Sequence, residues 1–322
     1  MRLLICYLAA CALSLAQGPG WWSAREYENV RVRFEYKLAQ WAEAAVVFRT
    51  PQVGRPIQQG VAVFLAHDFH QKPGLYTTGA LAGKVPPLRL LPPSYEVWHQ
   101  VEITLDGEEL NVSHDGELLQ MARVGPESLG KGFLHFAALE HKYSIRNWTV
   151  EELPVRQSYI ETWAPFQLRG NGGEWQLGKD SLRGANGHGI QYAAPQLADF
   201  VFSAEVKSTN RANGGIFFRG SADEKKPRGF EVQIYSPLDA VFPTGSIYGQ
   251  VRSTVASETE NRWFHLRVLV QGSRCVVWVD GVLVAESDLI EETQGQIGFQ
   301  IHMENTAVEW RNIRAVRLKA EP

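Results

Sequence analysis

The amino-acid sequence predicts an all-β protein made of two tandem sandwich domains. Short runs of alternating apolar and polar residues, bounded by Gly, Pro and Asn, recur along the chain, and no stretch after the N-terminal segment sustains a 3.6-residue apolar period. The chain also nearly repeats itself, because Trp98–Gly116 aligns with Trp263–Gly281 at an offset of 165 residues. This similarity indicates a duplicated domain. The 322 residues suffice for two domains of roughly 150 residues, each with its own core.

The first element is an apolar N-terminal segment. Arg2 is followed by an apolar stretch over residues 3–15 and by small residues before Gln17, a pattern typical of a secretory signal peptide of residues 1–17. The stretch is too short to span a bilayer as a helix. We therefore expect an exported protein, secreted or periplasmic, with no transmembrane segment after cleavage. Residues 8–11 also resemble a lipoprotein box that would acylate Cys11, but the apolar run continues past Cys11, which favours the plain signal peptide.

Strands follow in both halves of the chain. Alternation gives each strand one side that faces a core, and the Asp-Gly pairs at residues 115–116 and 280–281 are typical hairpin turns. Two packed antiparallel sheets per domain are the natural architecture. We place the domains at residues 21–153 and 158–320, since Pro154 and a cluster of charges interrupt the strand pattern between them. The clearest alternating runs are residues 30–36, 201–205, 266–270 and 277–279.

Charge and cysteine content limit the partners and cross-links. The net charge is −3 and no basic run exceeds Lys225-Lys226, so the sequence lacks the basic patch that binds a phosphate backbone, and we expect no nucleic acid partner. Cys275 is the one cysteine outside the N-terminal segment, so no disulfide is expected within the mature chain. It lies in an apolar strand and should be buried. The oligomeric state is not determined by these features.

Five ordered motifs in the second half carry a resemblance to a known family. They are NGGIFFRG at 213–220, GFEVQI at 229–234, TGSIYG at 244–249, GQIGFQIH at 295–302 and WRNI at 310–313. Together they resemble the 3-keto-disaccharide hydrolase family over most of residues 159–318, and the first half keeps weaker marks of the same pattern. The resemblance implies concanavalin A-like jelly-roll domains and action on glycosides already oxidised to a ketone at C3. The sequence departs from the family at Ser236, where an aspartate is usual, although Asp239 lies close by.

Strand parity collects the candidate site residues of the second domain. Alternate side chains of a strand point to opposite faces, so the apolar residues of three strands face the core and their polar neighbours face away from it. By analogy with concanavalin A-like folds, that polar face is the concave one where saccharides bind. The residues predicted to share it are Arg219, Glu231, Gln233, Tyr235, Gln300 and His302, with Tyr248 beside them.

The predicted chemistry follows from the C3 ketone that the resemblance implies. A ketone acidifies the hydrogen on C2, so removal of that proton gives an enolate that can expel the C1 substituent, followed by addition of water. Glu231 is the candidate base and His302 the candidate acid, or both are ligands of a divalent metal ion that polarises the ketone. Gln233, Gln300 and Arg219 would bind sugar oxygens, and Tyr235 or Tyr248 would stack on the ring; no cofactor is certain.

The first copy supports this assignment by what it lacks. Aligned on the sequence, Glu231, Gln233, Tyr248 and His302 fall on Ala62, Phe64, Ala82 and Ala137. We therefore predict that the second domain is catalytic and the first an accessory or glycan-binding domain. Arg219 is retained as Arg49, so a structural role for it stays equally open. The histidines of the first copy, among them His114, show no ligand spacing and are expected in loops or at the surface.

Two alternative functions remain open at this point. One is a conventional hydrolase in which Glu231 and either Asp239 or Glu304 flank the glycosidic bond. The other is a non-catalytic carbohydrate-binding or cell-surface protein, which Ser236 in place of the family aspartate favours.

Overall fold

The computed structural model consists almost entirely of β-strands in the part that it describes. That part comprises residues 20–66, 72–140, 142–154, 159–160, 166–169, 172–178, 181–221, 229–237, 239–254 and 259–318. Within it, the helical structure is a four-residue helix α1 (Pro56–Gln59) and a 3-10 turn at Pro126–Ser128. The predicted all-β class is thus confirmed. The predicted signal peptide of residues 1–17, Cys11 and Lys225-Lys226 lie outside the described residues.

Neither described helix is long and apolar enough to cross a membrane.

The chain divides into two compact units, mainly at residue 155, with residues 51–59 and 126–130 grouped with the second. The first unit is a sandwich of two antiparallel sheets, with strand orders β1-β8-β3-β4 and β7-β6-β5-β2-β9. Its strands are β1 (Trp21–Tyr27), β2 (Val30–Leu38), β3 (Glu43–Thr50), β4 (Val61–Ala66), β5 (His99–Asp106), β6 (Glu109–His114), β7 (Glu117–Arg123), β8 (Gly132–Glu140) and β9 (Tyr143–Glu152).

The second unit repeats this design with two long strands. Its strands are β10 (Tyr159–Ile160), β11 (Phe166–Arg169), β12 (Glu174–Leu177), β13 (Leu182–Leu197), β14 (Phe200–Ser208), β15 (Asn213–Gly220), β16 (Phe230–Tyr235), β17 (Phe264–Gln271), β18 (Arg274–Val279), β19 (Val282–Ser287) and β20 (Gly295–Arg317). The first half of β20 pairs with β15 and its second half with β14. Strand β13 follows β20 along most of its length, so both strands belong to each of the two layers.

Alternation places one side of each strand in a core. Along β2, Val30, Val32, Phe34 and Tyr36 are buried, and the residues between them are partly or fully exposed. The second core contains Phe202, Phe218 and Phe299, together with the predicted buried Cys275. Each such side chain contributes roughly 1.5–3 kcal/mol relative to an exposed one, so a strand cannot turn over without a large loss of stability.

A matched set of surface contacts shows the duplication in three dimensions. In the first unit the Arg146 guanidinium lies 4.1 Å from the centroid of the Trp98 ring, and its Nε donates to Glu35 Oε2 at 2.8 Å. In the second unit Arg311 lies 3.9 Å from the Trp263 ring and donates to Glu205 Oε2 at 2.7 Å. The strongest part of the sequence repeat therefore encodes a shared scaffold contact. Trp263 is covered by Arg311, so it is not a free stacking surface for a sugar.

Candidate active site

Strand register shows which predicted residues share a face of the second unit. Glu231 on β16 lies opposite Phe217 on β15, which lies opposite Gly298 on β20. In the next row, Gln233 lies opposite Gly215 and Gly215 opposite Gln300. Directly opposed residues of neighbouring antiparallel strands point to the same side. Glu231, Gln233 and Gln300 therefore share one face, directed away from the core, which we call the Glu231 face.

The Glu231 carboxylate lies directly over Gly215. A Cβ atom on residue 215 would stand only 2.1 Å from Glu231 Oε1, so the glycine leaves the space that the carboxylate occupies. Gln233 is buried beside it, with 5 % of its surface exposed. With its amide nitrogen facing the acceptors, Gln233 donates to Glu231 Oε1 at 3.2 Å and to the Gly214 carbonyl at 2.7 Å. These contacts fix one carboxylate oxygen in place.

Burial changes the acidity of Glu231. Loss of solvent around the side chain disfavours the charged carboxylate and raises its pKa to about 7. A carboxyl group with a pKa near neutrality can both take and return a proton at ordinary pH. Perturbed carboxyl groups of this kind concentrate at functional sites, so the geometry and the acidity of Glu231 support the same role.

Tyr248 stands next to Glu231 at the edge of the sheet. Its backbone N–H donates to the Glu231 carbonyl at 2.9 Å, and the adjoining Ile247 forms an antiparallel bridge with Val232. The Tyr248 side chain is 54 % exposed, and its ring centroid lies 5.2 Å from that of Phe242. An exposed aromatic ring beside a half-buried carboxylate fits the stacking role that the sequence predicted.

His302 shares the face but lies far from Glu231. It pairs with His188 on β13, and the two rings are 4.7 Å apart. His302 is four residues beyond Gly298 and two strands away from Glu231. At about 3.3 Å per residue and about 4.8 Å per strand, the two Cα atoms are about 16 Å apart. The prediction that Glu231 and His302 converge as base and acid on one bond, or as ligands of one metal ion, is therefore wrong: parity fixes the face but not the row.

Tyr235 lies in the same distant row. It is opposite Asn213, which by register is level with His302. Tyr235 and His302 therefore share a row of the sheet that lies four residues along the strands from Glu231.

Arg219 is part of the scaffold and does not lie on the Glu231 face. Its side chain is 1 % exposed, and its nitrogens donate to the carbonyls of Ala198, Gly272 and Glu292 and to Asp199 Oδ1. The reason is a break in register between residues 217 and 220, with a positive φ of 55° at Arg219. A bulge of this kind redirects the following side chain. The predicted substrate contact of Arg219 is wrong.

The first unit contains the same arginine contact. Arg49 also has a positive φ, of 52°, and it donates from Nε to the Glu28 carbonyl and from Nη2 to Asn29 Oδ1. The sequence comparison left a structural role open for Arg219 because Arg49 is its counterpart. That structural role is the one observed in both copies.

The register also corrects one alignment between the copies. Two correspondences between the copies hold. Ala62 and Phe64 lie opposite Val47 and Ala45 in the first unit, and Glu231 and Gln233 lie opposite Phe217 and Gly215 in the second. Ala62 therefore matches Glu231, and Phe64 matches Gln233. Ala137, however, lies opposite Ala45 and so matches Gln300, not His302. The second copy carries two extra residues in β20 beyond this point, and a sequence alignment without strand pairing cannot locate them.

Ser236 has been absorbed into a buried hydroxyl cluster. Its Oγ lies 2.6 Å from Thr259 Oγ1, which in turn lies 3.1 Å from Thr244 Oγ1. Asp239 is exposed, and Glu304 lies even farther along β20 than His302. A retaining or inverting pair requires carboxyl groups roughly 5–9.5 Å apart, so Glu304 cannot flank a bond together with Glu231.

The apolar centre of the Glu231 face was missed from the sequence. Ile190 and Tyr192 of β13 are buried there and Phe217 packs against them. Gly298 makes room for this group, because a Cβ atom on residue 298 would stand 2.7 Å from the Tyr192 ring. Strand parity could have assigned Phe217 to the Glu231 face, because it is opposite Glu231 on the neighbouring strand. Strand β13 contains no recognisable motif, so the positions of Ile190 and Tyr192 could be found only from the tertiary pairing.

Both units are jelly-roll sandwiches of the concanavalin A-like fold class, and the second carries a half-buried carboxylate on one face of its sheet. The chain belongs to the 3-keto-alpha-glucoside-1,2-lyase-like domain family, whose model matches residues 13–151 and again 158–316. The resemblance read from the five motifs is thus confirmed, and the first copy belongs to the family as well. Family membership gives the protein a carbohydrate-related function.

Solved structures similar to this chain each cover about half of it. A candidate glycosyl hydrolase from Parabacteroides distasonis is 18% identical, covering 50% of this chain and 100% of its own, with a TM-score of 0.43. The carbohydrate binding module CBM66 from Bacillus subtilis is 18% identical, covering 49% and 97%, with a TM-score of 0.38. A Bacillus licheniformis β-glucanase is 11% identical, covering 51% and 98%, with a TM-score of 0.39. No curated protein matches the chain significantly.

Proposed function

We propose that the second unit cleaves 3-keto-glycosides and that Glu231 is its catalytic base. The observation that carries this proposal is the Glu231 carboxylate, held over Gly215 by Gln233 and given a pKa of about 7 by burial. A base of this strength suits a carbon acid made more acidic by a neighbouring ketone. An isolated carboxylate, rather than a pair, is what such a reaction needs.

The reaction balances without an external oxidant or reductant. Glu231 takes the proton from C2, and the C2–H electron pair forms an enolate with the C3 carbonyl. Return of these electrons forms the C1–C2 double bond and expels the C1 oxygen with its bonding pair. The leaving oxygen gains a proton, and water can then add across the double bond. Because His302 lies about 16 Å from Glu231 by strand spacing, the protonated Glu231 itself is the best-placed donor to the leaving oxygen.

Neighbouring side chains would bind and orient the sugar. Gln300 lies across Gly215 from Gln233, so two amides flank the carboxylate and can contact ring hydroxyls or the C3 oxygen. The apolar centre formed by Tyr192 and Phe217 offers a surface for the ring's C–H face. Export through the signal peptide of residues 1–17 is part of the same proposal, since a secreted or periplasmic enzyme would meet glycosides outside the cell.

A carbohydrate-binding protein without catalysis is the second candidate. It is favoured by Ser236, which is buried in a hydroxyl cluster where the family has an aspartate. The two candidates differ in turnover alone, because both use the same face.

We expect release of the C1 substituent from 3-keto-glucosides and none from the unoxidised parent glucosides. The purified protein is incubated with both, with and without chelator, and the leaving group and the unsaturated keto sugar are quantified. Equal release from the unoxidised parent glucosides would contradict the proposal and indicate a conventional glycosidase. Binding of the keto sugars without release would identify a binding protein, and loss of activity with chelator would add a metal ion to the mechanism.

We also expect turnover to rise with pH through a midpoint near 7. The base must be ionised, and the raised pKa of Glu231 keeps it protonated at lower pH, so kcat/KM should fall about tenfold per pH unit below the midpoint. A pH profile at subsaturating substrate measures this. A profile that stays flat from pH 5 to 9 would contradict the assignment of Glu231 as base.

A further inference from the structure

A second polar cluster lies in the first unit and contains none of the residues that the proposed glycoside chemistry uses. His99 begins β5, His114 ends β6, and Asp115 occupies the turn that follows. One potential ligand atom of each lies within 4.8 Å of the others. His114 is buried, with 4 % of its surface exposed, in contrast to the surface position expected from the sequence. The hairpin between β6 and β7 and the pairing of β5 with β6 bring the three together.

Both imidazoles direct the same nitrogen at one carboxylate oxygen. His99 Nδ1 lies 2.7 Å from Asp115 Oδ2, and His114 Nδ1 lies 3.3 Å from the same atom. The other carboxylate oxygen, Oδ1, accepts a hydrogen bond from the Gln100 backbone at 2.8 Å, which fixes the carboxylate plane. Two imidazole nitrogens and one carboxylate oxygen are a common donor set for Zn²⁺.

The outer nitrogens of both rings are held by hydroxyl groups. His99 Nε2 lies 2.8 Å from Ser94 Oγ, and His114 Nε2 lies 3.0 Å from the Tyr36 hydroxyl. Without a metal ion, the 2.7 Å contact requires His99 Nδ1 to donate a proton to Asp115 Oδ2. Metal binding requires the other tautomer, in which each Nε2 donates to its hydroxyl and both Nδ1 lone pairs are available. Hydrogen bonds of this kind orient the histidine ligands of metal sites.

The duplication shows that these polar residues replace core residues. Strand pairing shows which residues of the two units correspond. The pair Tyr36 and His99 matches Val206 and Phe264, and the pair His114 and Val101 matches Val279 and Leu266. The second unit therefore has apolar residues at the positions of Tyr36, His99 and His114.

The turn aspartate is kept in both copies but has a different partner. Asp280 accepts a hydrogen bond from the His265 backbone, as Asp115 does from Gln100, and its Oδ2 binds Arg262. The sequence places Val97 where Arg262 would fall. In the first unit Oδ2 thus faces two imidazoles instead of a guanidinium.

A cavity of about 420 Å³ opens beside the cluster. It is lined by Thr78, Arg89, Tyr36 and the three cluster residues, among others. Arg89 at its edge is paired with Glu117, which offsets part of its positive charge near the cluster. The space allows a fourth ligand, such as water, to complete a tetrahedron.

We propose that His99 Nδ1, His114 Nδ1 and Asp115 Oδ2 bind a Zn²⁺ ion in the first unit, with the fourth coordination position open to the cavity. At metal–ligand distances of about 2.0–2.1 Å, tetrahedral donors are about 3.3 Å apart. Binding therefore requires His99 Nδ1 to move away from Asp115 Oδ2, and any donor pair wider than this spacing, within the 4.8 Å limit of the cluster, to close. The site is independent of the proposed glycoside cleavage.

The test is equilibrium dialysis of the chelator-treated full-length protein against Zn²⁺, with bound metal measured by atomic emission. We expect about one Zn²⁺ per chain at this site, and Co²⁺ in its place should show the visible absorption of a four-coordinate ion. The double variant His99→Phe/His114→Val, which installs the residues of the second unit, should lose that equivalent. The matched control His188→Ala/His302→Ala removes the histidine pair of the second unit and should retain it.

A second variant keeps the test decisive if the double variant folds poorly. Asp115→Asn retains the Oδ1 hydrogen bond but removes the charge, and it should weaken Zn²⁺ binding at least tenfold; Ser94→Ala should weaken it by roughly 10-fold through loss of ring orientation. Absence of Zn²⁺ from the folded parent, or parent-like binding by Asp115→Asn, would overturn the proposal and leave a hydrogen-bonded cluster. Turnover of 3-keto-glycosides is measured separately, so either proposal can fail alone.

Discussion

Replacing Glu231 with glutamine should lower the turnover of a 3-keto-glycoside by roughly 10²–10⁴-fold, the usual contribution of a general base. The amide has the same shape but cannot accept the C2 proton. The side chain contributes no core contact, so the fold should persist. The measurement is single-turnover release of the leaving group by parent and variant at pH 8.

The stability of the same variant provides the control. A carboxyl whose pKa is raised in the folded state binds more protons than the unfolded chain does between about pH 4.5 and 7, so its contribution to stability falls as pH rises through that window. Above it, the parent retains a half-buried charge that the glutamine variant lacks. The variant should therefore be at least as stable as the parent at pH 8. Parent-like turnover by a well-folded variant would show that Glu231 is not the base.

Gly215→Ala tests the same geometry from the opposite strand. The added Cβ would stand 2.1 Å from Glu231 Oε1, and the flexible carboxylate would move aside. The first copy has Ala45 at the position of Gly215, so the backbone there accepts a methyl group. Its neighbour is Ala62 instead of a glutamate, so the variant brings the methyl group against the carboxylate. A large loss of turnover with little loss of stability is the expected result, and unchanged turnover would contradict the position assigned to the carboxylate.

Replacing Arg219 with methionine should destabilise the second unit by roughly 2–4 kcal/mol, because a hydrogen bond to a charged group contributes about 1.5–3 kcal/mol and water replaces the lost donor in part at Asp199, which is 27% exposed. The substitution removes the donors to three carbonyls and to Asp199. For a domain of this size it would lower the melting temperature by roughly 10 °C. Calorimetric unfolding of the full chain measures the effect.

The exposed Arg317→Met is the matched control and should change stability little. Arg49→Met should produce a comparable loss in the first unit, because Arg49 makes the equivalent backbone contact. If Arg219 contacted substrate instead, its methionine variant would raise KM while leaving the melting temperature unchanged, and that result would restore the role inferred from parity.

The two-residue periodicity of the sequence was sufficient to predict the strands and their faces. The two-residue repeat of a strand is set by the backbone of that strand alone, so the sequence could assign Glu231, Gln233 and Gln300 to a face opposite the core. The offset of 165 residues similarly reported the duplicated scaffold of Trp98 and Trp263. These conclusions depend on neighbours in sequence, or on comparing the chain with itself.

The sequence by itself thus determined the all-β class, the duplication, the family and the polar face, whereas pairing between strands decided the chemistry of that face. Register placed His302 about 16 Å from Glu231 by strand spacing, and a bulge directed Arg219 into the scaffold. Because β20 contains two extra residues, Ala137 corresponds to Gln300 and not to His302. Burial raised the pKa of Glu231, and the pairing of β5 with β6 together with the turn after β6 joined His99, His114 and Asp115. Distances across a sheet depend on long-range register, which the period of a single strand does not contain.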